Sequence, residues 1–291
     1  MICICGTLAL RLAHFPGHRQ RGITLVEMMV AMVVGLILLV GIVQLFASNK
    51  QAYRIQEGAN VLNENARYIT NQMQFDLRMG DHWGGVERDA VEVMSDIDAI
   101  TDDCGGDAAA LDVVGIFGID GEADSPLDCV PDADYVPNSD IVVIRYAEPT
   151  RRASGTLEDD HIYVRTAIGR RAVIFQGGNL ADLDADLAPT DADAATVEEE
   201  VPELATFEFR TVIYFLRRCA SQDLGTPGVC DAADDASPTL ARLSLQGTAL
   251  VAQDVVAGVE QMQLAYGVDT DGDRAPDYYS CLLYTSPSPR D

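Results

Sequence analysis

The chain has 291 residues, with 46 acidic against 20 basic side chains and a formal charge of −26 at pH 7. Such a length can bury a sizeable core in one domain, and a surface this negative repels phosphates, which excludes nucleic-acid binding by the acidic body of the chain. No Gly-x-Ser-x-Gly, HExxH or phosphate-binding glycine loop occurs, and only His82 and His161 lie beyond residue 22, so the chain does not read as an enzyme.

Residues 1–22 carry Arg11, Arg19 and Arg21 and no acid. Residues 23–46 then form an apolar run in which no polar side chain occurs between Met28 and Val43. As a helix this run spans about 36 Å, enough for a bilayer core of ~30 Å. The positive charge on its N-terminal side predicts that this end stays cytoplasmic and that everything after Phe46 is exported. The run exceeds the roughly 7–15 residues of a secretory signal core, so any cut is expected before it and not at Ala47-Ser48-Asn49. Glu27 is the one acid at its start; an ionised carboxylate in a membrane helix costs roughly 2.5–3.5 kcal/mol and calls for a partner or a task.

Beyond the run, Ile55, Leu62, Ala66, Ile69, Met73 and Leu77 recur at helical steps, which predicts one helix of about 55 residues whose second half lays an apolar stripe on a sheet. Asp81-His82-Trp83-Gly84-Gly85 is expected to end it with glycine at the stop position, and the single Trp to join the core. Strands are expected at residues 111–117, 140–146, 161–165, 171–175, 206–215 and 240–245, with the alternation of an antiparallel sheet wet on one face. Residues 250–266 suit either a helix or a strand, and the acid-rich stretch 179–202 reads as a solvated loop. A long helix on an antiparallel sheet is an α+β architecture.

Cys104, Cys129, Cys219 and Cys230 show no metal-binding CxxC spacing, and in an exported chain they are expected to form disulfides. A Cys219–Cys230 bridge would close a short loop and Cys104–Cys129 would staple the first β-region, with the connectivity left open. Asp269, Asp271, Asp273 and Asp277 alternate along a turn, a set of hard oxygen donors suited to Ca²⁺, although Gly272 stands fourth and no bidentate Glu follows. The plainer alternative is an acidic turn in which Gly272 supplies a positive φ.

Arg21-Gly22-Ile23-Thr24-Leu25-Val26-Glu27 closely resembles the processing signal of type IV prepilins and type II secretion pseudopilins. The resemblance implies cleavage after Gly22 by a prepilin peptidase, methylation of the new amine at Ile23, and a subunit-recruiting role for Glu27 against the amine of a neighbouring subunit. Ile213-Tyr214-Phe215, Leu240-Ala241-Arg242 and the stretch from Val256 to Asp273 resemble the PilW-type minor pilins.

On this reading residues 1–22 are a leader, 23–46 a transmembrane helix, 47–80 its amphipathic continuation, 86–279 a periplasmic β-rich domain and 280–291 a non-native tail. Implied partners are the prepilin peptidase, other minor pilins, the major pilin and the inner-membrane assembly platform. The resemblance places the chain in the inner membrane and then in the filament near its tip. A type II secretion pseudopilin is the nearest alternative, and a signal-anchored calcium-dependent adhesin the more distant one.

Overall fold

The computed structural model describes residues 22–180, 183, 204–220, 230, 237–272 and 275–280. The chain divides into two compact units, Met1–Asn63 and Glu64–Asp291.

In the first unit residues 25–63 form one continuous helical stretch, the beginning of α1 (Leu25–Met79), which runs for 55 residues. Thr24 caps it: its Oγ1 accepts the N–H of Glu27 at 3.3 Å and its carbonyl accepts that of Met28 at 3.2 Å. Thr24-Leu25-Val26-Glu27 is the Thr-x-x-Glu arrangement that starts helices, with an acid in the first turn where the helix dipole favours it. Among the described residues α1 is the one helix long and apolar enough to cross a membrane, and none of its apolar window is buried.

In the second unit eight strands form one sheet: β1 (Val91–Val93), β2 (Ile116–Ile119), β3 (Ile141–Arg152), β4 (Ile162–Ala167), β5 (Arg171–Gln176), β6 (Leu204–Arg217), β7 (Thr239–Gln246) and β8 (Ala249–Ala257). The order runs β1-β5-β4-β6-β3-β2, with β7 and then β8 added beside β6, and every pairing is antiparallel except β1 with β5. The long β6 is the hub. One edge pairs with β3; the other is shared end to end by β4, along residues 204–208, and β7, along residues 212–217. A separate two-stranded ribbon joins β9 (Tyr266–Val268) to β10 (Tyr278–Ser280).

The expectation of one wet face does not hold for the central strands. From Ile141 to Ala147 every residue of β3 is buried. Val142, Ile144 and Tyr146 share one cluster with Val212, Tyr214 and Leu216, covered by Ile69, Met73 and Met79 of α1 and by Val259, Met262 and Leu264. Ile141, Val143 and Ala147 face the other way, into a larger core with Phe207, Phe209, Ile213, Phe215 and the covering residues Trp83, Cys104, Leu127 and Tyr135. Near-continuous apolar runs such as Ile141-Val142-Val143-Ile144 are what a strand covered on both faces requires.

The helix stripe also differs from expectation. Ile55, Leu62 and Leu77 are exposed, Ile69 and Met73 are partly buried, and the most buried residue of α1 is Asp76. The face turned to the sheet therefore steps through Ile69, Met73, Asp76 and Met79, a stripe interrupted by an acid.

The helix ends at Gly80-Asp81 and not at the later glycines. Gly80 lies so close to Ile116 and Ile144 that a Cβ there would sit 2.5 Å from Ile116 Cγ1, while Asp81 takes the left-handed conformation with φ 66°. Asp tolerates that region because its short side chain bonds locally. Here Asp81 Oδ1 accepts the indole N–H of Trp83 at 3.0 Å, and Trp83 is buried and stacked 6.1 Å from Phe209 as a core residue.

The run 111–117 supplies only its last two residues to β2. Asp112 Oδ1 accepts the N–H groups of Val113 and Val114, at 2.6 and 3.2 Å, and turns the chain. The fully buried Arg145 guanidinium then gathers the carbonyls of Asp107, Ala109 and Val114 at 2.6–3.1 Å, with Asp112 at 4.0 Å. Burial pushes Arg145 down from its ordinary range, and Asp112 opposes that shift. Residues 250–266 resolve into β8 followed by an irregular segment. Asp140 ties that segment down, its Oδ2 accepting the N–H of Leu264 at 2.6 Å and its own N–H donating to Met262 at 2.9 Å.

Candidate functional site

The N-terminal residues singled out by the sequence lie at one end of α1. Gly22 and Ile23 precede the helix and are exposed, and Glu27 stands in its first turn. Because Thr24 is the cap, Ile23 lies outside the helix and not within it as the sequence reading assumed. An amine created at Ile23 would thus project from a non-helical end, four residues before the Thr24-capped N–H of Glu27.

In the second unit a buried carboxylate joins helix to sheet. Asp76, 2% exposed, accepts hydrogen bonds from the hydroxyls of Tyr146 at 3.0 Å and Tyr214 at 2.5 Å. Burial raises both phenols well above their usual range, and the Asp76 carboxylate raises them further. Sequence reasoning passed over this trio. Its signal was available in the spacing, since Asp76 falls three residues after Met73 on the stripe, where an acid demands donors from the facing strands.

Both cysteine pairs are bridged, Cys104 to Cys129 across 25 positions and Cys219 to Cys230 across 11. The first fastens the loops that cover the larger core; the second closes a loop after β6.

At the acidic turn, carboxylate oxygens of Asp269, Asp271 and Asp277 lie within 4.8 Å of one another, and Asp273 falls outside the described residues. Asp269 Oδ1 accepts the N–H of Gly272 at 2.7 Å, and Gly272 has φ 79°. Asp277 Oδ2 accepts both the N–H and the hydroxyl of Thr270, which hold Asp277 below the usual carboxylate range. One oxygen of Asp269 and one of Asp277 thus fasten the turn.

Residues 17–43 match the prokaryotic N-terminal methylation motif, which covers Gly22, Ile23 and Glu27. Residues 213–286 match the family model of Type IV Pilus-assembly protein W, from the second half of β6 through β7, β8 and the β9–β10 ribbon, and on into the tail set apart as non-native. No curated protein and no solved structure matches the chain. A methylation motif leading into an exposed apolar helix, followed by a mostly antiparallel sheet, defines a membrane-anchored protein of the type IV pilin class. Within that class the chain is similar, over residues 213–286, to the PilW-like minor pilins of type IV pili.

Proposed function

We propose that the chain is cut after Gly22 by a prepilin peptidase, methylated at Ile23, and drawn from the inner membrane into a pilus by pairing of Glu27 with the terminal amine of an adjoining subunit. The observation that supports this reading is the exposed apolar helix with its only early acid in the first turn. A carboxylate there costs several kcal/mol in lipid unless a cation answers it, and a new ammonium on a neighbour answers it. The second unit faces the periplasm during assembly, where its two disulfides are stable. It works with other pilins and the assembly machinery as a structural component, not as a catalyst. Retention of Glu27 suits a place just below the outermost subunit, since a capping subunit has nothing above it to bind.

Calcium at Asp269, Asp271 and Asp277 is a subsidiary part of the proposal. It is supported by the convergence of three carboxylates on a turn already fastened by Thr270 and Gly272. Calorimetric titration with Ca²⁺ should show binding that Asp271→Asn abolishes; equal heats for both proteins would remove calcium from the account.

The deciding experiment for the main reading is mass spectrometry of the chain from cells with and without prepilin peptidase. A methylated N-terminus at Ile23 that depends on the peptidase is expected, and an uncut leader in both strains would overturn the reading.

A further inference from the structure

A second cluster of metal-ligating side chains is distinct from the acidic turn. Glu158, Asp160 and His161 occupy the turn that leads into β4, and one ligand atom from each lies within 4.8 Å of the others. His161 Nε2 is 3.3 Å from Glu158 Oε2, and its Nδ1 is 3.8 Å from Glu208 Oε1 on β6. Glu208 is in turn held by Arg152 at 2.7 Å and Arg210 at 3.0 Å.

We propose that Glu158, Asp160 and His161 bind a divalent transition metal of the Zn²⁺ type. One imidazole with two carboxylates is a donor set for such ions, and three protein ligands leave a place for water or for a donor from another subunit. The surroundings supply what a ligating histidine needs. With Nε2 turned to the metal, Nδ1–H points towards Glu208, the carboxylate that fixes the tautomer and ring orientation in such sites. Two arginines already neutralise Glu208, which leaves the charges of Glu158 and Asp160 for the ion, and a small turn of the ring would bring Nδ1 from 3.8 Å to hydrogen-bond distance of Glu208 Oε1.

The backbone of the turn is fixed in advance. The N–H of Glu158 donates to Tyr163 Oη at 3.0 Å, and the N–H of His161 to the Glu158 carbonyl at 3.2 Å. The carbonyls of Asp159 and His161 accept from Gly178 and Gly177 at 3.1 and 2.8 Å. Gly177 passes so near the Glu158 carbonyl that a Cβ would overlap it, so this contact requires glycine. Ligand atoms around tetrahedral Zn²⁺ stand about 3.3 Å apart at bond lengths of ~2.0–2.2 Å, and rotation of the two exposed carboxylate side chains closes the difference.

The test uses the untagged full chain in detergent, stripped by a chelator, titrated calorimetrically with Zn²⁺ and followed with Co²⁺ by its visible absorption. One Zn²⁺ per chain is expected. His161→Ala and Glu158→Gln should each weaken binding by about 100-fold or more and erase the Co²⁺ band, the latter at an exposed side chain that the fold does not need. Glu208→Gln should weaken binding by roughly 10- to 100-fold with all three ligands present. Asp271→Asn in the acidic turn should leave Zn²⁺ affinity unchanged. Absence of Zn²⁺ binding by the unaltered chain, or the same affinity in His161→Ala, would overturn the assignment and leave His161 as a neighbour of Glu158 and Glu208 only.

Discussion

The Tyr214 hydroxyl donates a 2.5 Å hydrogen bond to Asp76 Oδ2, linking the hub strand of the sheet to a helix residue 138 positions earlier. Tyr146 on the neighbouring strand donates to the other oxygen of the same carboxylate at 3.0 Å. Asp76→Ala would strand two buried hydroxyls, each costing about 1–3 kcal/mol when unsatisfied. We expect a loss of about 3 kcal/mol in urea denaturation of the detergent-solubilised chain. Tyr214→Phe removes one donor and should cost about half as much. Equal stabilities for Asp76→Ala and the unaltered chain would show that the trio holds nothing.

Alkali should unfold the second unit. Burial, aided by Asp76, raises Tyr146 and Tyr214, and burial, aided by the Asp140 charge, pushes Tyr266 up to about 12. A group raised in the folded state contributes stability that is full below its unfolded pKa, about 10 for Tyr, and is lost as pH rises through the folded value. Melting temperatures should therefore fall steadily above about pH 10. In Tyr214→Phe the fall should be shallower, because one fewer proton is retained by the folded chain.

The two bridges should contribute unequally. In the chain-entropy view a loop of 25 residues gives about 3.5 kcal/mol and one of 11 about 2.8. The double replacement of Cys104 and Cys129 by Ser should lower the melting temperature more than that of Cys219 and Cys230. The opposite ranking would mean that the cover formed by residues 104–129 is held mainly by its core contacts.

Gly115→Ala should be severe. A Cβ at Gly115 would collide with the backbone of Asp81, where the helix exit crosses the start of β2. A cost of about 2–3 kcal/mol is expected by denaturant unfolding. Gly155 has open space around its Cβ position, so Gly155→Ala serves as the control and should change stability by less than about 1 kcal/mol.

Glu27→Ala should leave α1 and its membrane insertion intact and abolish incorporation into sheared pili. Thr24→Ala removes the cap that sets the helix start and should cost about 1 kcal/mol locally. Filaments that form normally with Glu27→Ala would instead favour a membrane-anchored adhesin working as a monomer.

Strands β3, β4, β5, β6 and β7 were legible because β-branched and aromatic runs bounded by polar turns identify them from local pattern alone. The helix was legible in length for the same reason. What the sequence hid was set by partners distant in the chain. The acid in the stripe makes sense only once Tyr146 and Tyr214 face it, and residues 111–115 leave the strand pattern because Arg145, some thirty positions on, claims the carbonyls of Val114 and of Ala109 just before them. The acidic turn was visible as a row of aspartates, yet the roles of Thr270 and Asp277 depend on a contact across seven residues. The ligands of the His161 cluster are neighbours in the sequence, but Glu208, which backs the ring, comes from another strand.

The fork at β6 has a mechanical meaning. Tension arriving at residues 64–79 of α1 is handed through Asp76 to β3 and β6, two interior strands that are each hydrogen-bonded along both edges. To pull the helix free, a force would have to work against those ladders together and could not unzip a single rim strand.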